Sequence, residues 1–177
     1  DAWAERDLSD LVLRDRNHPS VVLWSIGNEI PEQDKPEGVA VARRLAGVVR
    51  ALDPTRPVSC ACNNAAGAEA AGFFETLDVA GYNYRESLYA EHHARHPDRV
   101  ILGSENATAL AYWKRGQCDP DALPTDSHIA AGEAALRAAL TVDFCAGLFL
   151  WTGIDYLGEP TPQSWPSRSS YFAPVDM

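Results

Sequence analysis

The chain is expected to fold as an α/β domain built on a parallel β-sheet. Three features of the sequence lead there. Apolar runs of strand length alternate with amphipathic stretches of helical period five times along the chain. The runs lack polar alternation: Val21-Val22-Leu23-Trp24-Ser25-Ile26 has the β-branched and aromatic content of a strand buried on both faces. Two of the runs also stop abruptly on a carboxylate, at Asn28-Glu29 and at Ser104-Glu105. In α/β barrels the C-terminal ends of the strands are where the chemistry sits. Alternation alone suits a doubly wound sheet as well as a barrel. No glycine-rich phosphate loop follows any strand, which weakens the nucleotide-binding form.

Taken in order, the first dozen residues form an amphipathic helix, with Trp3, Leu8, Leu11 and Val12 at helical spacing. Arg14 to Ser20 break it, because Pro19 cannot continue a helix and restricts His18 before it. The strand ending in Asn28-Glu29 follows. Asp34-Lys35-Pro36-Glu37 supplies an N-cap, a first-turn proline and an acid for the helix dipole. Val41, Leu45, Val48, Val49 and Leu52 make that helix's apolar stripe, and Asp53-Pro54 closes it. Pro57 to Cys62 is a short strand, and Ala65 to about Thr76 an Ala-rich helix. Val79 to Tyr84 is the next strand, ending in aromatic and amide side chains. A polar helix from Glu86 to His96 leads to Val100 and the second glutamate strand. Between Glu105 and Asp126 no periodicity is visible, and a loop that long in a compact domain is usually functional. Asp126 caps a helix whose Ile129, Leu136 and Leu140 face inward, and Gly147 to Trp151 is the last strand.

Bulk composition sets limits on function. The 177 residues are enough for one sizeable core, with 46% hydrophobic and 23% charged residues as in an ordinary globular protein. A net charge of −10 argues against a nucleic-acid partner, which needs clustered Lys and Arg. No apolar run approaches a membrane span, so no membrane partner is expected. Cys60, Cys62, Cys118 and Cys145 have neither disulfide nor zinc spacing and are read as small hydrophobes, which leans towards a reducing, cytoplasmic compartment. His92, His93 and His96 lie on the polar helix without a third ligand and are assigned to its solvated face, so no metal is expected. The chain opens inside a helix without an initiator Met, as a piece of a longer protein would.

Two carboxylates, each delivered by the end of its own strand, are what cleavage of a glycosidic bond requires. The segment Arg14-Asp15-Arg16-Asn17-His18-Pro19-Ser20-Val21, followed by Trp24-Ser25-Ile26-Gly27-Asn28-Glu29, resembles the acid/base signature of glycoside hydrolase family 2. That family holds the β-galactosidases, β-glucuronidases and β-mannosidases. Gly103-Ser104-Glu105 resembles its nucleophile strand, and Phe149-Leu150-Trp151-Thr152-Gly153 its last barrel strand. Pro166 to Phe172 is similar to the segment that follows in bacterial β-galactosidase-like members.

The resemblance covers nearly the whole chain and implies a TIM (β/α)8 barrel, of which residues 1–177 are the C-terminal portion, approximately its fourth to eighth strands. The first strands and the accessory β-sandwich domains would then be absent. It further implies a retaining β-glycosidase, most like a β-galactosidase, with β-glucuronidase, β-mannosidase and a non-catalytic carbohydrate-binding barrel as the alternatives. Glu29 becomes the acid/base and Glu105 the nucleophile. Asn28 binds the sugar 2-hydroxyl, Tyr84 donates to Glu105, and Trp151 is an apolar platform for the sugar. Like-charge repulsion within the pair is expected to hold a proton on the acid/base. Tyr82 points the same way as Tyr84 by strand period and is read as pocket wall. Carbohydrate is the implied partner, no cofactor is called for, and a homo-oligomeric parent protein is left open.

Overall fold

The computed structural model of the chain describes residues 3–106, 126–154 and 156–158. The stretch between Asn106 and Asp126, Cys118 within it, and the Pro166–Phe172 motif lie outside the described residues. Five strands, β1 (Trp24–Asn28), β2 (Val58–Cys62), β3 (Val79–Asn83), β4 (Val100–Asn106) and β5 (Cys145–Leu150), form one sheet. Every pairing is parallel and the strand order follows the chain order. A doubly wound sheet reverses its order at a switch point. This sheet never does, so it winds in one direction, as barrel strands do. Helix α1 (Ala4–Asp15) precedes β1, and α2 (Pro36–Leu52), α3 (Ala65–Ala71), α4 (Tyr89–Arg95) and α5 (Asp126–Leu140) fill the crossovers in turn. No helix among the described residues is long and apolar enough to cross a membrane.

Several boundaries depart from the sequence pattern for identifiable reasons. Val21, Val22 and Leu23 lie outside β1, which runs on to Asn28 instead. Arg56 takes the carbonyls that precede the strand: its Nε donates to Val21 O at 2.6 Å and its Nη2 to His18 O at 3.2 Å. The ladder therefore begins only where Trp24 N donates to Pro57 O. Nor is β1 buried on both faces as expected. Among the described residues it pairs on one side only, and Ser25 and Asn28 are exposed while β2 and β3 are buried throughout.

The helix expected from Ala65 to Thr76 stops at Gly72, whose φ of 75° makes a left-handed cap, and a 3-10 turn (Phe74–Thr76) follows. The Glu86–His96 helix is likewise divided into a 3-10 turn (Glu86–Leu88) and α4. The cap position of α2 falls on Lys35, because Asp34 accepts from Asn64 Nδ2 at 3.1 Å and so ties two loops together. In α5 the buried face is made by Ala135 and Ala139, and Leu140 is exposed; small residues let the helix approach the sheet. The side chain of Ile129 is outside the described residues.

The helix side of the sheet carries the main core. Cys60, Ala80 and Ile101 form one row across β2, β3 and β4, and Cys62 and Tyr82 belong to the next. Tyr82 is fully buried there, stacked on Phe74 and edge-on to Tyr89, so it is not pocket wall. Its hydroxyl meets His92 Nδ1 at 3.0 Å, and burial pushes it up to about 12. His92 is therefore a core residue, 2% exposed, and the assignment of all three histidines to a solvated face is wrong. His93 stacks on Phe144, and His96 pairs with Glu69 at 2.8 Å. The helix pattern misled because the polar groups on α4 are answered by other polar and aromatic groups rather than by water.

The opposite face of the sheet is narrow where it matters. A Cβ on Gly81 of β3 would stand 2.5 Å from Cys60 O and 3.0 Å from Ser104 Oγ. Since the nearest atom is backbone, Gly81→Ala is expected to destabilise the fold by about 1–3 kcal/mol. Urea denaturation of the two forms would measure it, and an unchanged midpoint would mean that the strands part without cost.

Beneath the sheet, Asp53 closes a network that the sequence suggested only as a helix stop. Its carboxylate accepts from Trp24 Nε1 (2.9 Å), Arg56 Nη1 (2.7 Å), and both the backbone and the hydroxyl of Thr55. Those donors hold the carboxyl well below the usual carboxylate range, that of Thr55 foremost. Arg56 thereby locks the His18-Pro19 turn under β1, and β1 in turn carries Asn28-Glu29 at its far end.

Candidate active site

Glu29 and Glu105 come from different strands and meet at the same end of the sheet. Both of the described non-glycine residues with positive φ lie here, Glu29 at 49° and Tyr84 at 55°. A left-handed conformation costs a residue that carries a Cβ about 1–2 kcal/mol, and such strain gathers at functional sites. Each is held by a backbone bond to the neighbouring strand: Glu29 N donates to Ala61 O at 2.8 Å and Tyr84 N to Glu105 O at 2.9 Å. The pairing register also shifts at both places, between Ser25 and Asn28 and between Tyr82 and Asn83. These irregularities break the two-residue alternation. That is why Tyr82 enters the core while Asn83 and Tyr84 both reach the glutamates.

The hydrogen bonds converge on one side chain that sequence reasoning passed over. Asn83 is completely buried. Its Nδ2 donates to Glu29 Oε1 at 2.9 Å and to Asn28 Oδ1 at 3.0 Å, and stands 3.4 Å from Glu105 Oε2. Its own Oδ1 accepts from the Ser104 hydroxyl at 2.7 Å. Tyr84 OH donates to Glu105 Oε1 at 2.6 Å. The structure thus brings Asn28, Glu29, Tyr84 and Glu105 into one cluster. Trp151 takes no part in these hydrogen bonds; it is half-buried just past β5, its backbone N–H continues the ladder to Asn106 O beside Glu105, and its ring lies edge-on to Tyr156.

The loops around the cluster are cross-tied. Gln33, 4% exposed, donates to Ile30 O and Asn63 Oδ1 and accepts from Asn64 N. Arg85 Nε reaches Asn63 O at 2.8 Å. The segments after β1, β2 and β3 are therefore held to one another, and the carboxylates stand on a fixed frame. Asn83 was visible in the sequence only as the amide before Tyr84, and nothing in the spacing marked Gln33.

Charge in the cluster is uneven. The Glu105 carboxyl is raised above its ordinary value, chiefly by burial and further by the nearby Glu29, with the Tyr84 hydrogen bond opposing. Ionising Glu105 therefore works against folding: the stability it contributes is present at acid pH and declines as pH rises through its pKa. A second group of possible ligands, Glu69, Glu75 and His96, lies on the helix side with ligand atoms within 4.8 Å. Arg99 already bonds both of those glutamates and supplies the positive charge a cation would bring.

Comparison with known proteins agrees with this geometry. Residues 2–110 match the family model described as the TIM barrel domain of glycosyl hydrolases family 2. A β-galactosidase, BoGH2A, from Bacteroides ovatus is 33% identical across 99% of the chain, and the chain spans 27% of that protein's length. A β-glucuronidase from Paenibacillus borealis is 55% identical over 53 residues, covering 29% of this chain and 9% of its own. A solved structure of a glycosyl hydrolase family 2 member from Bacteroides cellulosilyticus superposes with a TM-score of 0.73 at 36% identity, covering 90% of this chain and 18% of that one. With its singly wound parallel sheet a partial TIM barrel, this chain belongs to glycoside hydrolase family 2.

Proposed function

We propose that the protein carrying this chain is a retaining β-glycosidase in which Glu105 is the nucleophile and Glu29 the acid/base. The observation that carries the reading is the shared contact of both carboxylates with Asn83. Because Glu29 Oε1 and Glu105 Oε2 lie 2.9 and 3.4 Å from one nitrogen, the facing oxygens are closer than the about 6.5–9.5 Å of an inverting pair. So close a pair supports direct attack through a covalent glycosyl-enzyme over attack by a water held between the two groups. Glu105 attacks the anomeric carbon while Glu29 protonates the departing oxygen. Having given its proton to the leaving group, Glu29 is a carboxylate beside the Glu105 ester and serves as base for water. Asn28 accepts from Asn83, which leaves its own amide group to donate to a sugar hydroxyl. Trp151 is the platform for the sugar face.

β-D-Galactosides are the preferred substrates on this reading, supported by the β-galactosidase that aligns with almost the whole chain. β-Glucuronides are the second reading, supported by the shorter but closer likeness to the Paenibacillus enzyme. Aryl β-galactoside, β-glucuronide and β-mannoside assayed side by side on the intact protein would decide. Activity on none of them would refute the glycosidase reading. Residues 1–177 further correspond, in this proposal, to the fourth to eighth strands of the barrel. Among the described residues both β1 and β5 have an unpaired edge, and β5 exposes Phe149 and Leu150. Edges of that kind invite pairing with other chains. Expressed alone, the segment is expected to self-associate and to lack activity; size-exclusion chromatography of an active monomer would contradict it.

Tyr84 gives the reading a pH signature. The nucleophile must be ionised, so activity falls as pH drops through the pKa of Glu105. That pKa is raised, so the acid limb of the kcat/KM profile lies above where an ordinary glutamate would put it. Tyr84→Phe removes the hydrogen bond that opposes the rise. It is expected to move the acid limb to still higher pH and to lower kcat/KM by about 10- to 100-fold, the worth of a hydrogen bond to a charged group. An acid limb that stays in place would mean that Tyr84 does not act through Glu105.

A further inference from the structure

We infer that Asn83 is a positioning residue that dictates which oxygen of Glu29 holds the acid's proton, with Ser104 orienting it. The inference rests on the assignment of Glu29 and Glu105 proposed above. An amide NH2 group donates and cannot accept. Facing Glu29 Oε1 at 2.9 Å, it favours keeping that oxygen as the carbonyl, because a carbonyl oxygen accepts more strongly than a hydroxyl oxygen. A protonated Glu29 therefore carries its hydrogen on Oε2, the oxygen left for a departing group. With its second hydrogen the same nitrogen engages Asn28 Oδ1 at 3.0 Å.

The orientation of Asn83 follows from its neighbours. A flipped amide would set its oxygen against Asn28 Oδ1, Glu29 Oε1 and Glu105 Oε2, the last two being carboxylate oxygens. Ser104 secures the correct arrangement by donating to Asn83 Oδ1 at 2.7 Å. The side chain is completely buried, so water cannot take over its bonds. The titratable groups bonded within this cluster are Glu29 after β1, Tyr84 after β3 and Glu105 on β4.

The test uses the intact protein with Asn83→Ala, Asn83→Asp and Ser104→Ala, each assayed across pH on aryl glycosides with a good and a poor leaving group. Asn83→Ala is expected to lower kcat on the poor leaving group by about 10- to 100-fold, with KM within about threefold, because proton delivery is what suffers. Asn83→Asp keeps the shape but loses the donor, and falls at least as far at neutral pH. Ser104→Ala moves the same quantities in the same direction by about threefold to tenfold, the worth of a neutral hydrogen bond. Thermal melts identify any variant that fails to fold, and Ser104→Ala then carries the test. Equal losses on good and poor leaving groups in Asn83→Asp and Ser104→Ala would reduce Asn83 to a space-filling role and overturn the inference. That outcome is distinct from failure of the glycosidase reading, in which Glu29→Ala or Glu105→Gln would leave activity intact.

Discussion

Glu105→Gln in the intact protein is expected to lower kcat by at least about 10⁴-fold, the scale on which loss of a nucleophile acts. An amide oxygen cannot form the glycosyl ester, and it carries no charge to answer the developing oxocarbenium ion. The fold should survive. The amide can still accept from Tyr84 at the position where Glu105 Oε1 accepts now. Burial and Glu29 both disfavour ionised Glu105, so a neutral side chain relieves a cost that the folded state bears at neutral pH. The melting temperature at pH 7 is therefore expected to stay the same or rise. A variant that melts normally and turns over at the wild-type rate, without deamidation on mass spectrometry, would remove Glu105 from the reaction.

Glu29→Ala separates the two half-reactions. On substrates whose leaving group is acidic enough to depart as an anion, glycosylation should continue, because no proton is needed. On poor leaving groups kcat/KM should fall by about 10²- to 10⁴-fold, the contribution usual for a placed general acid. With good substrates the glycosyl-enzyme then accumulates, since water has lost its base, and KM falls together with kcat. Azide should restore turnover by replacing water in the second step and should leave as a glycosyl azide of retained configuration. Equal losses on all leaving groups, with no response to azide, would place the acid/base elsewhere.

The fold and the two glutamates could be read in the sequence because each depends on a short-range pattern. Buried parallel strands lack polar alternation, and a carboxylate after such a strand stands out from the apolar run. The errors have the opposite cause. Val21 to Leu23 have strand composition, yet Arg56, more than thirty residues away, claims the carbonyls of His18 and Val21. His92 lies on a helix that is polar in sequence, and the contact with Tyr82 from the strand before it shows that this part of the polar face is inside. The strand period assigned Tyr82 to the pocket, and the register shift at Asn83 gave that direction to its neighbours instead. Asn83 itself sits in a strand end like many others. Its importance lies in four contacts, with Asn28 and Glu29 at the end of β1 and with Ser104 and Glu105 on β4, which no local pattern encodes.

The central claim is that Glu105 forms a covalent bond to the sugar with Glu29 as its acid and base. Incubating the intact protein with a 2-deoxy-2-fluoro glycoside that bears a good leaving group tests it most directly, because the fluorine slows both steps and the leaving group restores only formation of the glycosyl-enzyme. Peptide mapping by mass spectrometry should find one fluorosugar per active site, attached to the peptide that contains Gly103-Ser104-Glu105 and carried by Glu105. A label on Glu29 would reverse the two roles. Inactivation-free turnover with inverted product would mean that no covalent intermediate forms, and that the closeness of the two carboxylates has been misread.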